Sequence, residues 1–142
     1  MSAVRPLPTV DYLDHKPFWD ATRSGKIMVQ KCTACGAVRF PPRPACTKCG
    51  SLDVEWVELD AKGHLYSWTV THVAMNPYFA DAVPYAVVVV ELAGGEGIRM
   101  LGRLAGADPG ALHLGLPMRA VFEEIDERVT LVNWKPEPKP RP

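Results

Sequence analysis

Apolar positions along this chain fall into short runs broken by Gly and Pro, and the periodicity is mostly that of strands. Leu65 to Val73 is rich in Thr, Val and aromatics, and strict alternation puts Tyr66, Trp68, Val70 and His72 on one face. Tyr85 to Glu91 is a nearly continuous Val run, the pattern of a strand buried on both faces. Ile98 to Ala105, Met118 to Glu124 and Val129 to Trp134 are expected to complete a set of five strands, with Gly94-Gly95-Glu96-Gly97 as a hairpin loop. Between the third and fourth strands, Asp108-Pro109 is a helix-start signal, and Gly115 leaves room for a turn or two. Three strands, a short helix and two strands is the order of an OB-fold, a five-stranded Greek-key barrel.

The N-terminal part reads differently. Residues 1–13 are Pro-rich and extended. A short helix is expected from Pro17 to Ser24, with Asp14 at the N-cap, Gly25 as the stop, and Phe18 and Trp19 as packing residues. Ile27 to Gln30 reads as a short strand entering a cysteine-rich stretch. The domain organisation expected is a lead-in and helix over 1–25, a cysteine module over 26–52, a barrel over 53–135 and a Pro-rich, mobile tail over 136–142. The fold class is mainly β.

Composition narrows the classes. The chain has 142 residues, 47% hydrophobic and 23% charged, which is ordinary for a globular protein and rules out disorder throughout. The longest apolar run, Ala82 to Val90, contains Pro84 and is far short of the roughly 20 residues a membrane helix needs. The first residues lack an apolar h-region, so no signal peptide is expected and a cytoplasmic location is. Pro, 14 residues, argues against long helices. Net charge is zero but unevenly spread: residues 26–50 carry five bases and no acid, whereas residues 51–134 carry twelve acids and five bases.

The chemistry concentrates in two pairs, Cys32-Thr33-Ala34-Cys35-Gly36 and Cys46-Thr47-Lys48-Cys49-Gly50, which hold all four cysteines. Two residues between cysteines let both sulfurs of a tight turn point at one ion. The Gly after each pair permits positive φ and leaves backbone N–H groups free to bond thiolates. Four thiolates make a closed tetrahedral site with no position for water, hence a structural metal. Zn2+ is the expected ion, with iron in a rubredoxin-like site as its rival, because four thiolates alone do not choose the metal. Disulfides need an oxidising compartment, and a redox C-x-x-C is normally single and beside a βαβ unit. With Zn2+ and four thiolates the net +5 of residues 26–50 falls to +3, still a basic surface. There Phe40-Pro41-Pro42-Arg43-Pro44 forms a rigid loop, and Arg39 and Arg43 are candidates to pair with phosphate or an acidic partner.

These residues together resemble a known family. Phe18-Trp19, Gly25 to Gln30, Cys32-x-x-Cys35-Gly36, Phe40-Pro41-Pro42-Arg43 and Cys46-x-x-Cys49-Gly50 look like the start of the acyl-CoA-associated zinc-ribbon/OB-fold proteins, long known only as a domain of unknown function. Gly63 to Val73, Pro84-Tyr85, the Val run ending at Glu91 and Gly115-Leu116-Pro117-Met118 extend the likeness over roughly 15–135. The resemblance implies an N-terminal helix, a rubredoxin-like zinc ribbon and a C-terminal OB-fold. It implies a non-catalytic partner of CoA-ester enzymes: thiolases, thiolase-like aldolases, hydroxymethylglutaryl-CoA synthase, or MaoC-type enoyl-CoA hydratases of steroid side-chain breakdown. His64, and Asn133-Trp134-Lys135-Pro136 in the last strand, depart from the family pattern and bear on the partner rather than the fold.

Three functions compete. An accessory subunit of an acyl-CoA enzyme complex is the reading adopted, with the basic ribbon near the phosphates of CoA and a hetero-oligomer as the working form. Single-stranded nucleic-acid binding suits ribbons and OB-folds, and Tyr66 and Trp68 could stack bases. The net −7 of residues 51–134 opposes it. An independent CoA-thioester enzyme lacks support, since the cysteines are assigned to metal, His15, His64, His72 and His113 are scattered, and Asp81 has no second member. Candidate CoA or partner contacts are Arg39, Phe40, Arg43, His72, and the loop aromatics Tyr78 and Phe79.

Overall fold

The computed structural model describes residues 3–138, and within them two antiparallel sheets share one core. Helix α1 (Lys16–Thr22) starts one residue earlier than expected and ends two earlier. Its N-cap position is His15, not Asp14, and no side chain caps it; Pro17 in the first turn supplies the start instead. Strand β1 (Ile27–Cys32) is the middle of a three-stranded sheet, flanked by β2 (Val38–Arg39) and β3 (Val54–Leu59). β3 pairs with β1 along its whole length, from Ile27 opposite Leu59 to Cys32 opposite Val54. The ribbon's sheet therefore runs to Leu59, past residue 53, where the barrel was expected to begin.

The second sheet has the order β6-β5-β4-β7-β8, built from β4 (Lys62–Thr71), β5 (Tyr85–Leu92), β6 (Arg99–Arg103), β7 (Pro117–Glu124) and β8 (Thr130–Pro136). Its two edge strands meet through one parallel bridge, Leu104 with Trp134, and the Ala105 N–H donates to the Trp134 carbonyl at 2.8 Å. This is the expected OB-type arrangement, with a 3-10 turn at Pro109–Ala111 capped by the Asp108 carboxylate. A second 3-10 turn, Pro77–Phe79, lies between β4 and β5, where Asn76 Oδ1 accepts from the Tyr78 N–H. Among the described residues no helix is long and apolar enough to cross a membrane.

Two strands differ from the expected pattern. In β4 the pairing jumps from Leu65–Val90 to Ser67–Val89, so Tyr66 is an extra, bulged residue. The bulge breaks the alternation: Leu65 is buried and Tyr66 is 48% exposed, while Trp68 and Val70 are half-buried in the core cluster. Tyr66 thus leaves the face it was expected to share with Trp68 and Val70, and His72 lies exposed beyond the strand's end. In β5, burial alternates instead of being two-sided. Ala86, Val88, Val90 and Leu92 are buried, and Tyr85, Val87, Val89 and Glu91 are half-buried on the outer face.

β4 is central, and Gly63 is what lets it be so. It stands opposite Leu92 of β5 and Met118 of β7, and a Cβ there would lie 2.0 Å from the Glu91 carbonyl oxygen. The core is continuous from ribbon to barrel: Phe18, Ile27 and Val29 cluster with Leu65, Val88, Val90, Met118 and Trp134. Burying each such side chain contributes about 1.5–3 kcal/mol. One end of the ribbon is thus held by shared core. Thr22, fully buried, ties helix to barrel by donating its hydroxyl to the Trp19 and Thr130 carbonyls at 2.8 and 2.9 Å. The lead-in is anchored rather than free, through Arg5 to Glu123 and Arg128 to Asp11. Pro136, assigned to the mobile tail by sequence, is in β8 opposite Met118, and the Glu137 N–H donates to the Pro117 carbonyl at 2.9 Å. The rest of that predicted tail, residues 139–142, lies outside the described residues.

Candidate metal centre and ribbon–barrel groove

The two cysteine pairs form matched knuckles. Gly36 and Gly50 have φ of +79° and +76°, and their N–H groups donate to the carbonyls of Cys32 and Cys46 at 2.8 and 2.9 Å. The N–H of Cys32 donates to Ala37 and that of Cys46 to Ser51, which closes each turn the same way. One sulfur atom from each of Cys32, Cys35, Cys46 and Cys49 lies within 4.8 Å of the others, with Cys32–Cys49 and Cys35–Cys46 both at 3.6 Å. A tetrahedral ion with bonds of about 2.3 Å separates its sulfurs by about 3.8 Å, so the residues fit a four-thiolate metal.

Backbone dipoles prepare two of the four ligands, Cys46 and Cys32. The N–H groups of Cys49 and then Lys48 hold the Cys46 thiol down at about 6, and those of Cys35 and Ala34 lower Cys32. Cys32 and Cys46 are buried; Cys35 and Cys49 are exposed. Bound there, the metal would supply a cross-link between the knuckles in a module with little core of its own.

The arginines beside this centre do not serve alike. Arg39 is buried, 7% exposed; its Nε donates to Gln30 Oε1 at 2.8 Å and its Nη2 to the Arg43 carbonyl at 3.2 Å. The Arg43 N–H donates to the same Gln30 oxygen at 2.8 Å. Arg39 is thus a buried brace for the loop, contrary to its expected place on a basic surface. It sits on β2 facing the loop it holds, and no local pattern distinguishes that from exposure. Arg43 is exposed, as expected.

Phe40 and Phe79, predicted independently, come together in one groove of about 560 Å3 between ribbon and barrel. Phe18, Trp19 and Phe40 form its ribbon side. Phe79, Tyr85 and the segments Met100–Arg103 and Leu131–Asn133 form its barrel side. Phe18 packs on Phe40 at 5.2 Å and Phe79 on Tyr85 at 5.9 Å. At one end Arg5 reaches Glu123 at 3.3 Å and lies 5.7 Å from the Tyr78 ring, while Asn133 donates to Glu123 at 2.7 Å. Arg99 and Arg103 also line it. Tyr78 borders the groove through Arg5; His72 is not among its lining residues. Arg5, Tyr85, Arg99 and Arg103 escaped the sequence reading. They come from separate segments that only the barrel's closure assembles. Three guanidiniums and one engaged carboxylate suit binding of an anion rather than proton transfer.

Comparison with known proteins places this architecture. Residues 19–55 match a family model described as the ChsH2 rubredoxin-like zinc ribbon domain, and residues 56–123 match the ChsH2 C-terminal OB-fold domain. A DUF35 domain-containing scaffold protein of Methanocaldococcus jannaschii is 36% identical over 98 residues, 68% of this chain and 67% of that protein. The 3-oxo-4,17-pregnadiene-20-carboxyl-CoA hydratase alpha subunit of Mycobacterium tuberculosis is 34% identical over 120 residues, 84% of this chain and 37% of its own length. The chain spans about two fifths of the hydratase alpha subunits it matches. Among solved structures, a chain of the Ltp2-ChsH2(DUF35) aldolase superposes with a TM-score of 0.78 at 34% identity, covering 93% of this chain and 98% of that one. The chain belongs to the DUF35 family of ChsH2-type proteins, a rubredoxin-like zinc ribbon followed by an OB-fold.

Proposed function

We propose that this protein is a non-catalytic accessory subunit of an enzyme acting on CoA thioesters, working in a hetero-oligomer in the cytoplasm. The observation that carries the reading is the likeness to the DUF35 chain of an aldolase along nearly the whole of both chains. It is supported by relatives named as scaffold proteins and as hydratase subunits. The partner is a thiolase-like aldolase or a MaoC-type hydratase. The groove's chemistry agrees, since three of its five titratable groups are the guanidiniums of Arg5, Arg99 and Arg103, its one carboxylate, Glu123, is held by Arg5 and Asn133, and the Tyr85 ring lies under Arg103. Acid–base catalysis needs a group free to exchange a proton with substrate.

The metal in this reading is zinc, with a structural role. The four thiolates would link the knuckles, and the shared core would hold the opposite end of β1. The ribbon then presents a fixed surface to the partner, with Arg43 exposed upon it.

Affinity capture of the full chain from its native cells, with mass-spectrometric identification, tests the reading. A CoA-thioester enzyme recovered in near-stoichiometric amount is the expected result. Recovery of ribosomal proteins, polymerase or nuclease-sensitive material would refute it, as would turnover of an acyl-CoA by the isolated chain.

A further inference from the structure

A second cavity, of about 370 Å3, lies where the lead-in turns into α1 and is lined by Pro8, Thr9, Tyr12, His15 and Trp19. Its walls are held by the chain itself. Val10 is buried, Asp11 is held by Arg128 at 3.2 Å, and the Tyr12 carbonyl accepts from the His15 and Lys16 N–H groups at 2.9 Å. The Tyr12 ring meets the His15 ring edge to face, with centroids 5.4 Å apart. Tyr12 is nevertheless 58% exposed and the adjoining Leu13 85%. Rigid aromatics left in water are the material of an interface. Of the acids nearby, Asp11 is paired with Arg128 and Asp20 with Lys16; Asp14 has no basic partner among the described residues.

We propose that this cavity takes the Pro-rich segment of a second copy of the chain, residues 138–142, with prolines on Tyr12 and Trp19 and a basic side chain on Asp14. In Pro138-Lys139-Pro140-Arg141-Pro142 every second residue is Pro, and the segment carries two bases and no acid. Proline fixes its own φ and biases the residue before it to the same extended region, so this sequence favours polyproline II before it binds. Such segments dock in aromatic-lined grooves, where little ordering entropy is lost. The segment cannot enter the cavity of its own chain. The cavity adjoins the start of β8, where Thr22 reaches Thr130 and Asp11 reaches Arg128. Pro136 lies about 20 Å further along the strand, and Glu137 continues past it on the Pro117 carbonyl. Residues 139–142 span at most about 14 Å, too little to return. Two copies set antiparallel along β8 would each give and receive one segment, a closed twofold arrangement with two reciprocal contacts.

Sedimentation of the metal-loaded full chain tests this. The parent should form a concentration-dependent dimer that weakens with salt. Deleting residues 138–142 should weaken self-association at least tenfold, and so should Tyr12→Ala; both changes together should be no worse than one, because they break the same contact. Unchanged thermal midpoints show that the variants fold. The deleted chain keeps its cavity and the Tyr12→Ala chain keeps its segment, so a mixture of the two should associate where neither does alone. A labelled peptide of residues 135–142 should bind the deleted chain at one site, at least tenfold more weakly after Tyr12→Ala, after Asp14→Asn, or when its prolines are replaced by alanine. A dimer indifferent to the segment and to Tyr12, or peptide binding indifferent to proline, would overturn the proposal. Tyr12-dependent peptide binding by a chain that stays monomeric would overturn the second copy as occupant and assign the cavity to a Pro-rich segment of another protein. Each result is independent of whether a CoA-thioester enzyme co-purifies.

Discussion

Gly63→Ala should be among the most damaging single-methyl changes in the barrel. The added Cβ would stand 2.0 Å from the Glu91 carbonyl oxygen, 2.8 Å from its carbon and 2.9 Å from Val90 Cγ1. Contacts under 3.0 Å are essentially never observed, and two of these three neighbours are backbone. Rotating Val90 leaves the two backbone clashes in place, so β4 and β5 must part by about 1 Å in a close-packed interior. A bond of about 2.9 Å would lengthen to about 3.9 Å, beyond the roughly 3.2 Å limit of a good N–H···O contact. Retreat the other way is closed by β7, where Gly63 faces Met118. Losing two ladder bonds at about 0.5–1.5 kcal/mol each, with overpacking of about 1–3 kcal/mol, costs about 2–6 kcal/mol. For a chain of this length that lowers Tm by about 6–24 °C. Urea unfolding and thermal melts by circular dichroism measure it, with Ser67→Ala, exposed on the same strand, expected within about 0.5 kcal/mol of the parent. A Gly63→Ala protein within 1 kcal/mol of the parent would show that the pairing of β4 between β5 and β7 is wrong.

Three further changes probe other links. Cys46→Ser should abolish stoichiometric metal binding and open the ribbon, read by metal analysis of the purified protein and by hydrogen exchange at Cys46 to Gly50; full metal content in that variant would refute the four-thiolate site. Thr22→Val keeps the shape but leaves the Thr130 carbonyl without its donor, costing about 1–3 kcal/mol by urea unfolding. The Asp126 carboxyl is held below its usual range by the N–H groups of Arg128 and Val129, so its folded value is depressed. That contribution is fully present above about pH 4 and is lost as pH falls below it. Asp126→Asn should flatten the acid limb of the stability curve, and a limb identical to the parent's would refute the assignment.

Features set by neighbouring residues are legible in the sequence. The knuckles follow from Cys-x-x-Cys-Gly, because the ligands and the residue permitting positive φ are neighbours in sequence. The barrel order followed from short apolar runs and the Asp108-Pro109 signal. Errors arose where a distant element decides. Val54–Leu59 lacks strict alternation, since Glu55 and Glu58 fall on opposite faces, and its strand exists because β1 offers an edge along its full length. The bulge at Tyr66 leaves no mark in composition, yet it reverses which side chains face inward. Arg39 looks like any surface cation until Gln30 is brought beside it. The groove was invisible as a whole, since Arg5, Phe40, Phe79 and Arg103 are far apart in sequence, although two of its aromatics were picked out singly.

The N-terminal segments are fastened to the last hairpin. Arg5 reaches Glu123, Asp11 receives Arg128, and Thr22 reaches Thr130, across 118, 117 and 108 positions. For a chain emerging from a ribosome, this sets an order of events. The knuckles can capture their ion once Gly50 is out, but α1 has no Thr130 carbonyl of β8 to seize for another 80 residues. At about 5–20 residues per second that interval is about 4–16 s. During it Phe18 and the inner face of β1 stand without their final cover, and the metal-bound turns are the part of the nascent chain already fixed. Synthesis of the final strand therefore completes the first module as well as the second.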